Sequence, residues 1–556
     1  MSTPVLSQNR PRASGHGTSL GVRLRGRLGT GVSDSGWAAV AVLASLAVTV
    51  WWLTQDTRVP DWDSAQHTID SFIVHDEIAR GSLTAPFTEF NTYPPLGHLV
   101  GALGVFLGGH KIAAVILALN LVFLPLLAAG CYGAGRLVAG PRAGLLAVVF
   151  ALGTPMIVSE AHEAYLDPLQ AALIAVSVYA ILASRRFERL GVAALAGGAS
   201  GLAMLAKETT PIFLAGLLVV VVARGGWRNW RGLIAYVAVL AVVGAPWYVY
   251  HHDELNQLVI AHTSQANTLE PNPVGGTYPT LFSLKNLTWY LWDASNIQLR
   301  GALLLLFLVG TVASIGSSIR RWTPENLYPE LLGGGFVAWA GMTWLTHKDP
   351  RYDLPALVYV AVLATAWIPS VRPRLRRSLI AGLLVAVLAS FAGVAFGLGG
   401  DSYVLRVALP GADASSSIGQ RFITVYATSG YLRGPPENND GNVPALLRGL
   451  RRAGVTKVTF CCANPVDFNV IGLSVMTTEA GLLNPVNPAL LGPKDVFLAA
   501  HAPILPSDPP PCQRLRSGIG IYAVLGNPIG KLFSQYTLIC PGRKPEIYGY
   551  HATTPP

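Results

Sequence analysis

The stretch from Val59 to Leu96 reads VPDWDSAQHTIDSFIVHDEIARGSLTAPFTEFNTYPPL. It is the first long polar segment after a hydrophobic span, and it gathers Asp61, Asp63, His67, Asp70, His75, Asp76 and Glu77 within a few turns. The four-residue spacing of Asp63 and His67 puts both on one face of a helix. Pro94 and Pro95 stiffen the return, since proline fixes φ and restrains the residue before it. An ordinary solvated loop would hold the same residues, so the flanks decide the meaning.

The flanks are apolar. Of 556 residues, 51% are hydrophobic and only 13% charged, with mean hydropathy +0.43, against about 25% charged in soluble domains. The chain reads as an integral membrane protein whose first partner is the lipid bilayer. Its net charge of +10 falls in short clusters between apolar spans, where basic residues report orientation, so no nucleic-acid partner is expected. Five cysteines are too few for a disulfide scaffold and show no C-x-x-C spacing for zinc.

Residues 1–35 form a basic, disordered tail with Arg10, Arg12, Arg23, Arg25 and Arg27, expected in the cytoplasm. The span at 36–54 has about the length a bilayer needs and reads as a retained anchor. Further spans are expected at 110–138, 144–158, 165–183, 191–205, 211–223, 233–250, 302–319, 331–345, 354–368 and 379–398, about eleven in all. Residues 96–109, short and Gly-rich, read as a re-entrant or interfacial helix. With this topology Arg136 and Arg142, Arg185, Arg186 and Arg189, Arg224, Arg228 and Arg231, Arg320 and Arg321, and Arg372 to Arg377 share the cytoplasmic side.

The opposite face receives the Asp63 loop, Glu160–Asp167 (EAHEAYLD), Lys207–Thr210 (KETT), the long loop 251–298, and His347–Tyr352 (HKDPRY). Ionisable groups at the mouths of spans are costly and mark a pathway or a site. In the long loop Tyr278, Trp289, Tyr290 and Trp292 are compatible with an interfacial aromatic belt or with a lid over a substrate.

The Asp63-Ser64-Ala65-Gln66-His67 segment followed by Tyr93-Pro94-Pro95-Leu96 resembles the first extracytoplasmic loop of the GT-C superfamily of membrane glycosyltransferases, in the protein mannosyltransferase and aminoarabinose transferase branch. The second-loop acids Glu163 and Asp167 have a counterpart there, as does Arg351-Tyr352-Asp353-Leu354-Pro355 before a late span. The resemblance covers about the first 400 residues. Ser64 departs from it, standing where a second acid is usual. It implies an inverting transfer of a sugar, hexosyl or pentosyl, from a polyprenyl-phosphate-type donor to a cell-envelope acceptor (glycan, lipid or protein) at the outer face of the plasma membrane.

Attack at an anomeric carbon needs a base for the acceptor hydroxyl, and Asp63 is the first candidate, with Asp167 and Glu163 the further catalytic acids. The departing phosphate needs cations, for which Lys207, Arg351 and Lys348 are candidates. Tyr352, His67 and Tyr93 complete the expected substrate-binding set. Asp63 and His67 are also candidate ligands of a divalent cation, magnesium or manganese, although some relatives work without metal. Each residue has a plainer reading: Asp63 as a helix-start acid, Asp167 as complement to a helix N-terminus, Lys207 snorkelling, Arg351 paired to Asp349 or Asp353. A carrier or flippase for a lipid-linked sugar is the competing function, disfavoured because the charges gather at one face and no inverted repeat is visible.

Residues 36–398 thus read as a mainly α, polytopic GT-C-like catalytic domain, and 399–556 as a separate extracytoplasmic α/β domain. In the latter, 443–453 has helical spacing, while 457–460 and 518–525 read as strands. Cys512 and Cys540 are candidates for a disulfide; adjacent Cys461 and Cys462 are awkward partners for each other.

Overall fold

In hydrocarbon a backbone amide finds no water, so apolar runs close their hydrogen bonds within themselves as helices. The computed structural model describes residues 33–88, 93–253, 255–256, 282–345 and 348–399, and beyond them 403–406, 422–427, 433–438, 443–452, 456–461, 470–482, 496–501, 520–525, 536–539 and 548–549. The chain is a multi-pass membrane protein built mostly of helix. α1 (Asp34–Gln55) starts at Ser33, whose hydroxyl accepts from the Gly36 amide at 3.2 Å. α2 (Trp62–Ala79), α3 (Ala85–Thr88) and α4 (Leu96–Gly108) follow, so much of the first polar stretch is helical.

Next come α5 (Ile112–Ala139), α6 (Pro141–Leu152), α7 (Pro155–Glu160), α8 (Asp167–Ala183), α9 (Leu190–Ala206), α10 (Thr210–Ala223) and α11 (Trp230–Tyr250). Short α12 (Leu284–Leu287) and α13 (Trp289–Asp293) lead through one π turn, Ala294–Gln298, into α14 (Arg300–Arg320). α15 (Tyr328–Trp344), α16 (Leu357–Thr365) and α17 (Pro373–Phe396) complete the bundle. Among the described residues α1, α5, α11, α14 and α17 are long and apolar enough to cross a membrane; α4, α6, α8, α9, α10 and the 354–370 segment are shorter apolar helices.

The single span expected over 144–158 is two helices. Gly153 and Thr154 separate α6 from α7, and Pro155, which has no N–H to continue the ladder, opens the second. α8, almost wholly buried, sits at the centre with α5, α9 and α16 packed around it. α9 crosses α11 closely because Gly197 leaves room: a Cβ there would stand 2.2 Å from the Tyr236 carbonyl oxygen. At the end of the bundle where α8 passes into α9 and α10 into α11, Arg186 and Arg224 both reach Glu330, which is buried. One helix length away, at the other end, lie Asp167 and Lys207.

Beyond the bundle, β1 (Tyr403–Arg406) and β2 (Phe422–Tyr426) pair antiparallel. α18 (Val443–Arg452) precedes β3 (Val458–Cys461), and α19 (Val470–Glu479) lies between β3 and the parallel β4 (Val496–His501). β5 (Gly520–Leu525), β6 (Tyr536–Ile539) and β7 (Tyr548–Gly549) continue the sheet antiparallel, in the order β3-β4-β5-β6-β7. The expected helix and both expected strands are therefore α18, β3 and β5. Residues 1–32, Tyr278, His347, Cys512 and Cys540 lie outside the described residues.

Candidate active site

Asp61 and Asp63 stand at the start of α2. Asp61 occupies the cap position without capping; its Oδ2 instead accepts from the Tyr165 hydroxyl at 2.5 Å. Asp63 meets Arg351: guanidinium Nη2 donates to Asp63 Oδ2 at 2.8 Å. The two residues are 288 positions apart in sequence. The plainer reading of Arg351 holds as well, because Asp349 Oδ1 accepts from its amide at 2.9 Å and its Nε at 3.0 Å, and Oδ2 from Nη2 at 3.1 Å. The guanidinium also lies over the Tyr165 ring, 4.3 Å from its centroid. Three segments thus converge on one buried cation. The Asp63 side chain remains 39% exposed and that of Arg351 only 9%, so the carboxylate is reachable and its counter-ion is not.

A second cation sits beside the first. Lys207 Nζ donates to Asp167 Oδ1 at 2.6 Å and lies 4.7 Å from the centre of the Tyr352 ring. Asp167 is in the first turn of α8, as a helix-complementing acid would be. Tyr93 packs its ring edge against His67 at 5.0 Å between centroids. Burial first, then the charges of His98, Lys207 and Arg351, hold the His67 imidazole well below its ordinary range, so it is neutral.

Glu163 goes elsewhere. It is bound by Nε of Arg433 in a short hydrogen bond. Next to it Glu160 is buried, and among the described residues neither carboxylate oxygen has a hydrogen-bond partner. Burial pushes its carboxyl well above the usual range, against the opposing charge of Arg351. Lys348 turns away from the pair of Arg351 and Asp63: its Nζ donates to the carbonyls of Met342 at 2.8 Å and Thr343 at 2.9 Å, and burial lowers it to about 7.

The acids of this loop divide by environment. Burial raises Asp349, but the charge and hydrogen bonds of Arg351 outweigh it and hold the carboxyl below its usual range. Asp293, with both oxygens unpartnered among the described residues, is pushed well up by burial and then by Asp353. Asp353 is raised to about 7, chiefly by burial, against a hydrogen bond from Gln298. Trp289, Tyr290 and Trp292 are buried, and Lys348 Nζ lies 5.2 Å from the centre of the Tyr290 ring.

Among the described residues Asp63 and His67 do not share a group of three close ligand atoms. Asp63 is engaged by a guanidinium and belongs to neither of the two His/Asp groups close enough to share an ion, His67–Asp70–His98 and His75–Asp76–His110. Sequence reasoning missed Asp61 as a partner of Tyr165, together with His98, Asp293 and Arg433. His98, an imidazole inside an apolar Gly-rich helix, carried the one usable signal; for Arg433 there was none.

Residues 92–250, from Tyr93 through Lys207 to the end of α11, match the model of the family described as dolichyl-phosphate-mannose-protein mannosyltransferase. ArnT from Cupriavidus metallidurans bound to undecaprenyl phosphate is similar in structure, with a TM-score of 0.55 at 15% identity over 84% of this chain and 93% of that one. The same protein in its apo state gives 0.54 at 16% identity, over 84% of this chain and 93% of that one. An oligosaccharyltransferase from Archaeoglobus fulgidus, solved with Zn and sulfate, gives 0.44 at 12% identity over 81% of this chain and 62% of that one, too distant to carry an argument. No curated protein matches the sequence. The sequence match to that mannosyltransferase family model covers residues 92–250, and the likeness of fold to ArnT extends over most of the chain.

Proposed function

We propose that the chain transfers a sugar from a polyprenyl-phosphate-type carrier to a cell-envelope acceptor at the outer face of the plasma membrane. The observation that carries this reading is the reachable Asp63 carboxylate backed by buried Arg351, with the Lys207–Asp167 pair alongside. In this reading Asp63 takes the proton of the acceptor hydroxyl. The hydroxyl oxygen bonds to the anomeric carbon as the bond from that carbon to the phosphate oxygen breaks, and the phosphate leaves with the electron pair. Lys207 has three N–H groups and gives one to Asp167, so it has donors left for the phosphate. Tyr93 and Tyr352 wall the sugar, while Asp167 and Glu163 hold cations in place. That ArnT was solved with undecaprenyl phosphate supports a lipid phosphate as the carrier.

The same orientation puts the N-terminus in the cytoplasm and residues 399–556 outside, as an extracytoplasmic α/β domain. Divalent-cation chemistry at Asp63 is not part of this reading, since Arg351 already neutralises it. The test is transfer of label from a radiolabelled polyprenyl-linked sugar to a cell-envelope extract by purified protein. D63N is expected to reduce turnover about 100-fold or more while the protein folds normally, as loss of a general base does. Unchanged turnover in D63N would remove the base; lipid movement across vesicles without any transfer would favour the carrier reading.

A further inference from the structure

α2 and α4 touch along a seam made possible by Gly101, where an added Cβ would stand 2.2 Å from the Ser71 hydroxyl oxygen. That approach brings His98, near the start of α4, against His67 and Asp70, three residues apart on α2. All three are buried, and one ligand atom from each lies within 4.8 Å of the others. His67 Nδ1 is 3.2 Å from His98 Nε2, which is 3.6 Å from Asp70 Oδ2. Two ligands about 2.0–2.1 Å from a tetrahedral zinc stand about 3.3 Å apart, which is the edge these distances describe. The first is also within hydrogen-bond reach, and the second is too long for one. Gln66 Nε2 donates to the other Asp70 oxygen at 2.8 Å, orienting the carboxylate as outer-shell partners of metal ligands do.

We propose that His67, Asp70 and His98 bind one zinc ion, with water in the fourth position, and that this ion clamps α2 to α4 one turn beyond Asp63. Mixed imidazole and carboxylate ligation suits zinc. The neighbouring trio differs in geometry. His75 Nδ1 and His110 Nε2 each lie 2.8 Å from the same oxygen, Asp76 Oδ1, which is hydrogen-bond spacing and shorter than a coordination edge. The zinc site is independent of sugar transfer, since it is read by metal content and not by turnover.

Full-length protein in lipid nanodiscs, stripped by chelation and reloaded with zinc chloride, is expected to retain one equivalent by elemental analysis. Cobalt in its place should give the visible bands of a near-tetrahedral ion. H98Q and D70N should each weaken zinc affinity at least 10-fold, D70E should restore it, and H110Q should leave it unchanged. Size-exclusion profiles distinguish an unfolded variant from one that has lost metal; if H98Q does not fold, the D70N and D70E pair decides. No zinc retained by the wild type, wild-type affinity in D70N, or loss of zinc in H110Q would each overturn the site.

Discussion

Arg351 shows what one side chain does when its charge is shared. Its Nη2 is 2.8 Å from Asp63 and 3.1 Å from Asp349, so the guanidinium fork holds two acids from distant parts of the chain at once. Lysine offers a point charge without the fork. R351K is therefore expected to fold but to lose turnover by 10-fold or more in the transfer assay, and wild-type turnover would show that any cation suffices. Titration in the same loop gives a second expectation. Asp353, raised to about 7 by burial, binds protons in the folded state between its ordinary value near 4 and about 7, where the unfolded chain does not. Its contribution to stability is thus present at low pH and is lost as pH rises through that window. D293N/D353N should flatten the fall in melting temperature between pH 4 and pH 7 relative to wild type; an unchanged slope would assign it to other carboxylates. From sequence the acids of this loop were visible but not their division. Asp349 and Asp353 look alike until the structure gives one a guanidinium and the other a buried neighbour, Asp293.

At the scale of helices, the bundle was legible where length and hydropathy speak and illegible where short helices share a span. The ends of α1, α5, α9 and α10 lie within a few residues of expectation, because uninterrupted apolar runs with polar ends have one sensible reading in lipid. α6 and α7 read as one span in the sequence, since Gly153-Thr154-Pro155 is too brief a break to register in a hydropathy window. What holds helices together left a fainter trace, in glycines whose partners are far away. Gly197 and Gly198 are adjacent and indistinguishable in sequence. Yet a Cβ at 197 would meet backbone oxygen at 2.2 Å, while at 198 the nearest atom is a Val239 methyl at 3.6 Å. G197A is expected to cost about 1–3 kcal/mol by overpacking. G198A should be neutral or slightly stabilising, through roughly 0.5–1 kcal/mol of helix preference. Thermal unfolding of the two variants in the same detergent separates them, and equal melting points would refute the close crossing.

Across the whole molecule, the chain from 433 to 438 is sewn to the base of the first polar stretch. Arg433 Nη2 donates to the Val59 carbonyl at 2.6 Å, and its Nη1 lies 3.6 Å from Asp56. Its Nε meets Glu163, while its amide donates to Ser159 Oγ at 3.0 Å. Trp52 Nε1 donates to the Gly434 carbonyl at 3.1 Å, and the Thr57 amide to the Glu437 carbonyl at 3.0 Å. This segment beyond α17 therefore ties α1, the approach to α2 and the second polar loop into one body beside Asp61 and Asp63. Nothing in the sequence announced this, because one arginine in a polar segment has no periodicity to mark it. Removing it leaves Glu163 buried without its cation, which costs about 3–5 kcal/mol when one partner of a buried pair is lost. R433A should accordingly lower the melting temperature and weaken transfer, with E163Q/R433M recovering stability because both charges leave together. A single variant as stable as wild type would mean that the segment rests on the bundle without holding it.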